Sequence, residues 1–195
     1  ELTLTGRDCG EAERAPMCGV PFHSAETYIA TLIEKGYKVA ICEQMENPAT
    51  AKGLVKREVI RIITPGTVTE ASMLPETRNN YLASVFIDEG GAGVCFADIS
   101  TAQIFATSFE TTQYLPQLIG ELGTYAPREV LINLPHKLCP ELVDFVKNRL
   151  NAVISDGDAS KYEYKSAAEA VRAQFSATLR DGDLDKRRLI CALGA

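Results

Sequence analysis

Two carboxylates in this 195-residue chain stand where catalytic acids are often found: Asp98 closes the apolar run AGVCFAD, and Glu43 follows VAIC. A metal-dependent nuclease needs several convergent carboxylates to hold two ions, one of them on the first strand of its sheet. Asp98 falls instead at the end of a second β-like run, and the first run, YLASVFIDE, has no interior acid. Its expected work is to bond the backbone of the Ser100–Thr101 turn. Glu43 has no Asp, His or metal partner at a useful spacing, and an E-Q pair at a strand end reads as a hydrogen-bonding anchor. The six cysteines (9, 18, 42, 95, 139 and 191) contain no C-x-x-C pair, so neither a zinc site nor a dithiol redox motif is expected. Cys42 and Cys95 lie in apolar runs and are expected to be small buried hydrophobes. Reduced thiols fit a cytoplasmic location.

Two other stretches carry binding chemistry. Lys52–Arg61 (KGLVKREVIR) holds four cations, Lys52, Lys56, Arg57 and Arg61, against one anion, a local charge of +3. Such a run can neutralise nucleic-acid phosphates; it can equally be an edge strand kept from aggregating by its charge. In the loop Pro16–His23, two prolines and Gly19 fix the backbone while Met17, Phe22 and His23 offer side chains. Apolar tips of that kind can wedge beside unstacked bases in a minor groove, or they can pack a Pro-rich turn with His23 opening the following helix. Arg7 lies on a polar approach segment and is a further phosphate candidate.

The whole chain is acidic, with 20 Lys and Arg against 26 Asp and Glu and a formal charge of −6. That balance argues against strong independent nucleic-acid binding, which needs an excess of cations. No run of 18 apolar residues exists and the first residues form no signal peptide, so neither a membrane span nor secretion is expected. The chain opens on Glu1 and stops at CALGA in mid-pattern, and both ends are expected to be internal to a longer polypeptide.

These candidates need elements to hold them. Ala25–Lys35 places Tyr28, Ile29, Leu32 and Ile33 at helical spacing, with Ser24 as N-cap and Gly36 at the C′ position. The runs YKVAICEQ and VKREVIRII follow as strands, the second closing on a Pro65–Gly66 turn. From Asn80 three β-like runs, YLASVFIDE, AGVCFADIS and AQIFATSFE, form an antiparallel meander. A helix over Thr111–Tyr125, a strand over Glu129–Asn133, a helix over Pro140–Leu150 and a strand over Ala152–Ser155 then extend the sheet in parallel. Three antiparallel strands followed by αβαβ is the order of RNase H-like folds. A helix at Ser166–Phe175 exposes Glu169, Arg172 and Gln174, and Asp181–Arg188 (DGDLDKRR) reads as a solvated joint.

Residues 16–67 carry, in order, P-M-x-G-V-P-F-H, a helix, V-A-I-C-E-Q, P-x-x-x-K-G and R-x-I-T-P-G-T. This series resembles the second half of the mismatch-recognition domain of the MutS family. ADISTAQIFAT, EVLIN and the terminal ALGA resemble that family's connector domain, with Ala102 standing where the family carries a glycine. The resemblance implies an α/β chain with residues 1–67 as the C-terminal part of a mismatch-recognition domain, 68–79 as a linker and 80–195 as an RNase H-like connector domain. It also implies a parent protein that binds double-stranded DNA at a mismatch, couples this to ATP-dependent clamp formation, is dimeric, and recruits a MutL-type partner through the connector. The family's Phe-x-Glu motif is not in this chain, and no G-x-x-x-x-G-K-[ST] phosphate loop occurs. ATP and magnesium are therefore implied for the parent alone, and no cofactor or catalysis is expected of these residues. The alternative remains a metal-dependent RNase H-like nuclease centred on Asp98.

Overall fold

In the computed structural model, residues 2–8, 10, 14–47, 53–74, 77–175 and 185–195 are described. The chain divides into two compact units, Glu1–Ile62 and Ile63–Ala195.

In the first unit, β1 (Leu4–Arg7) and β2 (Ala15–Cys18) pair antiparallel, with Thr5 opposite Met17 and Arg7 opposite Ala15. A 3-10 turn at Phe22–Ser24 leads into α1 (Ala25–Glu34). Ser24 holds the N-cap place, but its hydroxyl makes no capping bond; the 3-10 turn, closed by Ser24 N–H to Pro21 O at 3.0 Å, orders the entry instead. At the other end Gly36 adopts φ +81°, and the bonds Gly36 N–H to Ile33 O and Tyr37 N–H to Leu32 O form a Schellman cap. β3 (Val39–Gln44) pairs with β4 (Arg57–Ile63) in a separate two-stranded sheet. Cys42, expected inside, is exposed, because a two-stranded sheet cannot cover both of its own faces.

The second unit is built on a five-stranded sheet. β5 (Tyr81–Asp88), β6 (Gly91–Asp98) and β7 (Gln103–Phe109) form the antiparallel meander. β8 (Glu129–Ile132) and β9 (Val153–Asp156) add in parallel on the far side of β5, giving the order β7-β6-β5-β8-β9. This is the α/β arrangement read from the sequence. One face is covered by α2 (Leu115–Tyr125) and α3 (Pro140–Asp144), which bury Leu118, Leu122 and Leu142 against Val85, Val94, Phe96, Val130 and Ile132. The other face carries α4 (Tyr164–Phe175) and α5 (Arg187–Leu193). Gly93 permits that second layer, since a Cβ there would collide with the backbone carbonyl of Arg188.

Three boundaries differ from the sequence reading. α2 begins at Leu115, four residues after Thr111. Thr111 is spent on a local turn, its hydroxyl accepting Gln113 N–H, and Pro116 is tolerated only in a helix's first turn. The helix expected over 140–150 is α-helical only to Asp144, and Phe145–Arg149 form a wider π turn. Leu150 N–H then reaches Phe145 O, while Asn151 turns left-handed at φ 51° to enter β9. The division between units also falls earlier than 67/68. Ile63, Thr64, Pro65, Gly66 and Val68 are buried within the second compact unit.

Candidate nucleic-acid interface and docking face

The Pro16–His23 loop is fixed at both ends by local bonding. Thr5 Oγ1 donates to Met17 O at 2.8 Å, and Pro21 sits at φ −61° and ψ 137° before the 3-10 turn. Rigid backbone and exposed tips coincide here: Phe22 is 93% exposed and Met17 43%, with Val20 and His23 exposed beside them. A phenyl ring held open to solvent by a proline-set turn costs hydration free energy, and nothing among the described residues of the unit offsets it. The packed-turn alternative for Phe22 is therefore not realised in this unit.

On β4 the period-2 alternation of a strand puts Arg57, Val59 and Arg61 on one face and Glu58, Ile60 and Ile62 on the other. Both faces are exposed along this strand. Arg57 and Arg61 stand four residues apart, about 13 Å at the usual rise per residue. Lys56 contributes less than its charge suggests, because its Nζ lies 2.6 Å from Glu58 Oε1. Its backbone N–H, moreover, is bonded to Glu46 Oε1 at 2.8 Å. Arg7 is exposed at the end of β1. Lys52 lies outside the described residues. Loop and strand are linked through α1, which packs on β3, the partner of β4.

In the second unit α4 buries Ala167, Ala168 and Val171 and leaves Glu169, Arg172 and Gln174 exposed. The expected joint at 181–188 lies partly outside the described residues, but Arg188 within it is no solvated residue. Its guanidinium Nε donates to Asp88 Oδ1 at 2.7 Å and its Nη1 to Glu110 Oε2. One cation thus ties the ends of β5 and β7 to α5. Mixed charge in a loop-like stretch hid this, since no spacing rule links residues 88, 110 and 188.

Asp98 does the work expected of it. It is 1% exposed and accepts Ser100 N–H, the Ser100 hydroxyl and Thr101 N–H at one oxygen and Asn80 N–H at the other. Burial pushes its carboxyl upward, but the Ser100 hydroxyl and the Asn80, Ser100 and Thr101 amides outweigh that and hold it below the ordinary aspartate range. An acceptor saturated by four donors is a structural staple. Among the described residues no three His, Cys, Asp or Glu side chains group so as to hold a metal ion, and Glu43 is exposed at the end of β3. Among the thiols, burial pushes Cys95 up to about 12, leaving it inert.

The sequence reading missed a buried knot at the T-P-G-T string. Thr64 and Thr67 bond each other through Thr64 N–H to Thr67 Oγ1 at 2.9 Å and Thr67 N–H to Thr64 O at 3.0 Å. Asn80 Nδ2 then donates to Pro65 O, and Gly66 N–H to the buried Glu129 carboxylate. The turn signal at Pro65–Gly66 was visible; that it is clasped by Asn80 and by Glu129, 63 residues further on, was not.

The comparisons with known proteins agree with this architecture. Residues 1–72 match the family model described as MutS domain I, and residues 80–195 match MutS domain II. The chain is 46% identical over 175 residues to the "DNA mismatch repair protein MutS" of Ruminiclostridium cellulolyticum, covering 90% of this chain and 20% of that protein. It is 46% identical to the protein of that name from Acetivibrio thermocellus over the same shares. The counterpart from Caldanaerobacter subterraneus subsp. tengcongensis is 41% identical over all of this chain and 22% of its own length. The chain thus spans about one fifth of the length of these curated relatives. Among the described residues no helix is long and apolar enough to cross a membrane.

Proposed function

The chain belongs to the MutS family of DNA mismatch-repair proteins, and from that premise we propose that it is a non-catalytic part of a longer, dimeric, cytoplasmic repair protein. On this reading the first unit supports mismatched duplex DNA. The ring of Phe22, with Met17 and His23 beside it, approaches the minor groove, while Arg57 and Arg61, with Arg7, Lys52 and Lys56 as weaker contributors, meet the backbone phosphates. The second unit joins that contact to the rest of the protein as a rigid body and offers Glu169, Arg172 and Gln174 on α4 to a MutL-type partner. ATP and magnesium belong to domains outside these residues, and the clamp transition driven there moves this unit without bond-making in it.

The observation that carries the reading is the exposure of Phe22 on a backbone fixed by Pro21. The backbone beneath the ring has little conformational entropy left to lose on contact. The nuclease alternative is disfavoured by the saturated hydrogen bonding of Asp98. The test is duplex binding by the longer protein across a salt series. Arg57→Gln/Arg61→Gln is expected to flatten the slope of log K against log salt by about 2, near 0.9 per phosphate contact. Phe22→Ala is expected to weaken mismatched duplex more than homoduplex while leaving that slope alone. Unchanged slope and unchanged discrimination in the two proteins would refute the proposed contacts.

A further inference from the structure

In the second unit, α2 and β7 border a groove of about 390 Å³. Ligand pockets run from about 300 to 1,000 Å³, so this one suits a single long side chain better than a cofactor. Its walls follow from the periods of the two elements. Glu121 and Tyr125 stand four residues apart on α2 and share one face of the helix. Phe105 and Thr107 stand two apart on β7 and share one face of the strand. Phe96, opposite Phe105 in the strand register and 1% exposed, makes the floor. The rings of Phe105 and Tyr125 lie 5.3 Å apart and are tilted by 40°, and Phe105 is 42% exposed. Glu121 is the one charged residue on α2, and among the described residues its carboxylate has no ion pair or hydrogen bond. β6 and β7 carry no Lys or Arg, and the one acid on them is the saturated Asp98. The lining thus joins aromatic faces, which are negative over the ring, to an unpaired anion.

We propose that this groove receives an arginine side chain presented by a partner protein. Charge decides the class of occupant. A nucleic-acid phosphate entering here would be brought against Glu121 and repelled. A cation is attracted twice, by the carboxylate and by the quadrupole of the rings. Arginine meets both demands at once, because its planar guanidinium stacks flat on a ring while its N–H fork reaches a carboxylate. Lysine offers a compact, strongly hydrated charge that cannot stack. The place of Glu121 on its helix points the same way. It stands one turn from the C-terminus of α2, where the helix dipole is negative, and an acid there is unfavourable until a cation arrives. The groove lies on the side of the sheet opposite α4. It therefore depends neither on the face formed by Glu169, Arg172 and Gln174 nor on DNA.

An NMR titration of the 195-residue chain with a capped Ala-Arg-Ala tripeptide tests it. The signals of Phe105, Thr107, Glu121 and Tyr125 are expected to shift together and saturate, with a Kd on the order of 10 mM for this single contact. The same tripeptide with citrulline keeps the shape and loses the charge, and is expected to bind about tenfold more weakly. The lysine tripeptide is expected to fall between the two. Glu121→Gln, which keeps the side-chain shape, is expected to weaken the arginine tripeptide about fivefold, and Phe105→Leu by a similar factor. Far-ultraviolet circular dichroism and a melt of each variant confirm that it folds. Absence of a saturable shift at these four residues overturns the proposal. Equal binding of the arginine and citrulline tripeptides also overturns it, leaving an apolar groove without charge recognition. Binding unchanged in both variants overturns it by placing the contact elsewhere, and lysine binding as tightly as arginine overturns the choice of occupant.

Discussion

The two units spend their apolar residues in opposite ways. In Glu1–Ile62, Ile33 is the one buried apolar side chain among the described residues, while Leu4, Met17, Phe22, Val59, Ile60 and Ile62 face solvent. In Ile63–Ala195 a continuous core of 14 buried residues fills the space between sheet and helices, with Phe96 stacked on Tyr125 at 4.2 Å between ring centroids. Burial of apolar area is the main favourable term in folding, so the second unit holds its own stability and the first holds little. The difference teaches where each can act. A unit with an unspent apolar surface is suited to contact, and a unit with a filled core is suited to carry position from one site to another.

Core truncation should separate the units most. Leu118→Ala or Phe96→Ala is expected to cost about 3–5 kcal/mol in denaturant titrations of the second unit, whereas Ile62→Ala, on an exposed strand face, should change stability by less than about 1 kcal/mol. Equal costs would erase the contrast. Next comes Asp98→Ala, which strips the partner from the amide of the buried Asn80 and from those of the exposed Ser100 and Thr101 and is expected to cost about 2 kcal/mol. Because the folded carboxyl lies below its ordinary range, its stabilisation is complete above the unfolded value, near 4, and fades as pH falls through the lower folded one. Asp98→Asn should accordingly flatten the acid limb of the stability profile, measured as unfolding midpoint against pH. A smaller effect of opposite sign is expected from Ala102→Gly. Ala102 holds φ 56° in the β6–β7 turn, a left-handed conformation that costs an L-residue about 1 kcal/mol, and relief of it should raise the midpoint of the second unit. Least visible to stability is the α4 face. Glu169→Lys/Arg172→Glu should alter unfolding by no more than about 0.5 kcal/mol yet abolish saturable binding of a MutL-type ATPase domain, followed by biolayer interferometry. Undiminished binding would move the docking face elsewhere.

The sequence exposed most of the second unit because its elements obey local rules. Alternation in YLASVFIDE and the apolar spacing of Leu115, Leu118 and Leu122 follow directly from strand and helix periods, and the meander and parallel extension came with them. Ala102 was visible as a departure, though its left-handed backbone was not. Ends of helices were less legible, since Thr111 and Phe145 are governed by a side-chain turn and a π turn that no period announces. Long-range polar contacts were invisible: Glu129 with Gly66, and Arg188 with Asp88 and Glu110, join residues that only the finished sheet brings together. In the first unit the candidates Phe22, Arg57 and Arg61 were found by residue type, but their exposure was not, because a run such as VAIC reads as buried wherever a second layer is assumed.

Native-state hydrogen exchange of the chain, read amide by amide, bears most directly on this division of labour. Amides of β5, β6 and β8 are expected to exchange only through the global opening of the second unit, and those of α1, β3 and β4 through far smaller local openings. Protection in β3 and β4 equal to that in β6 would contradict the account, for it would mean that the first unit carries a stability its burial does not supply.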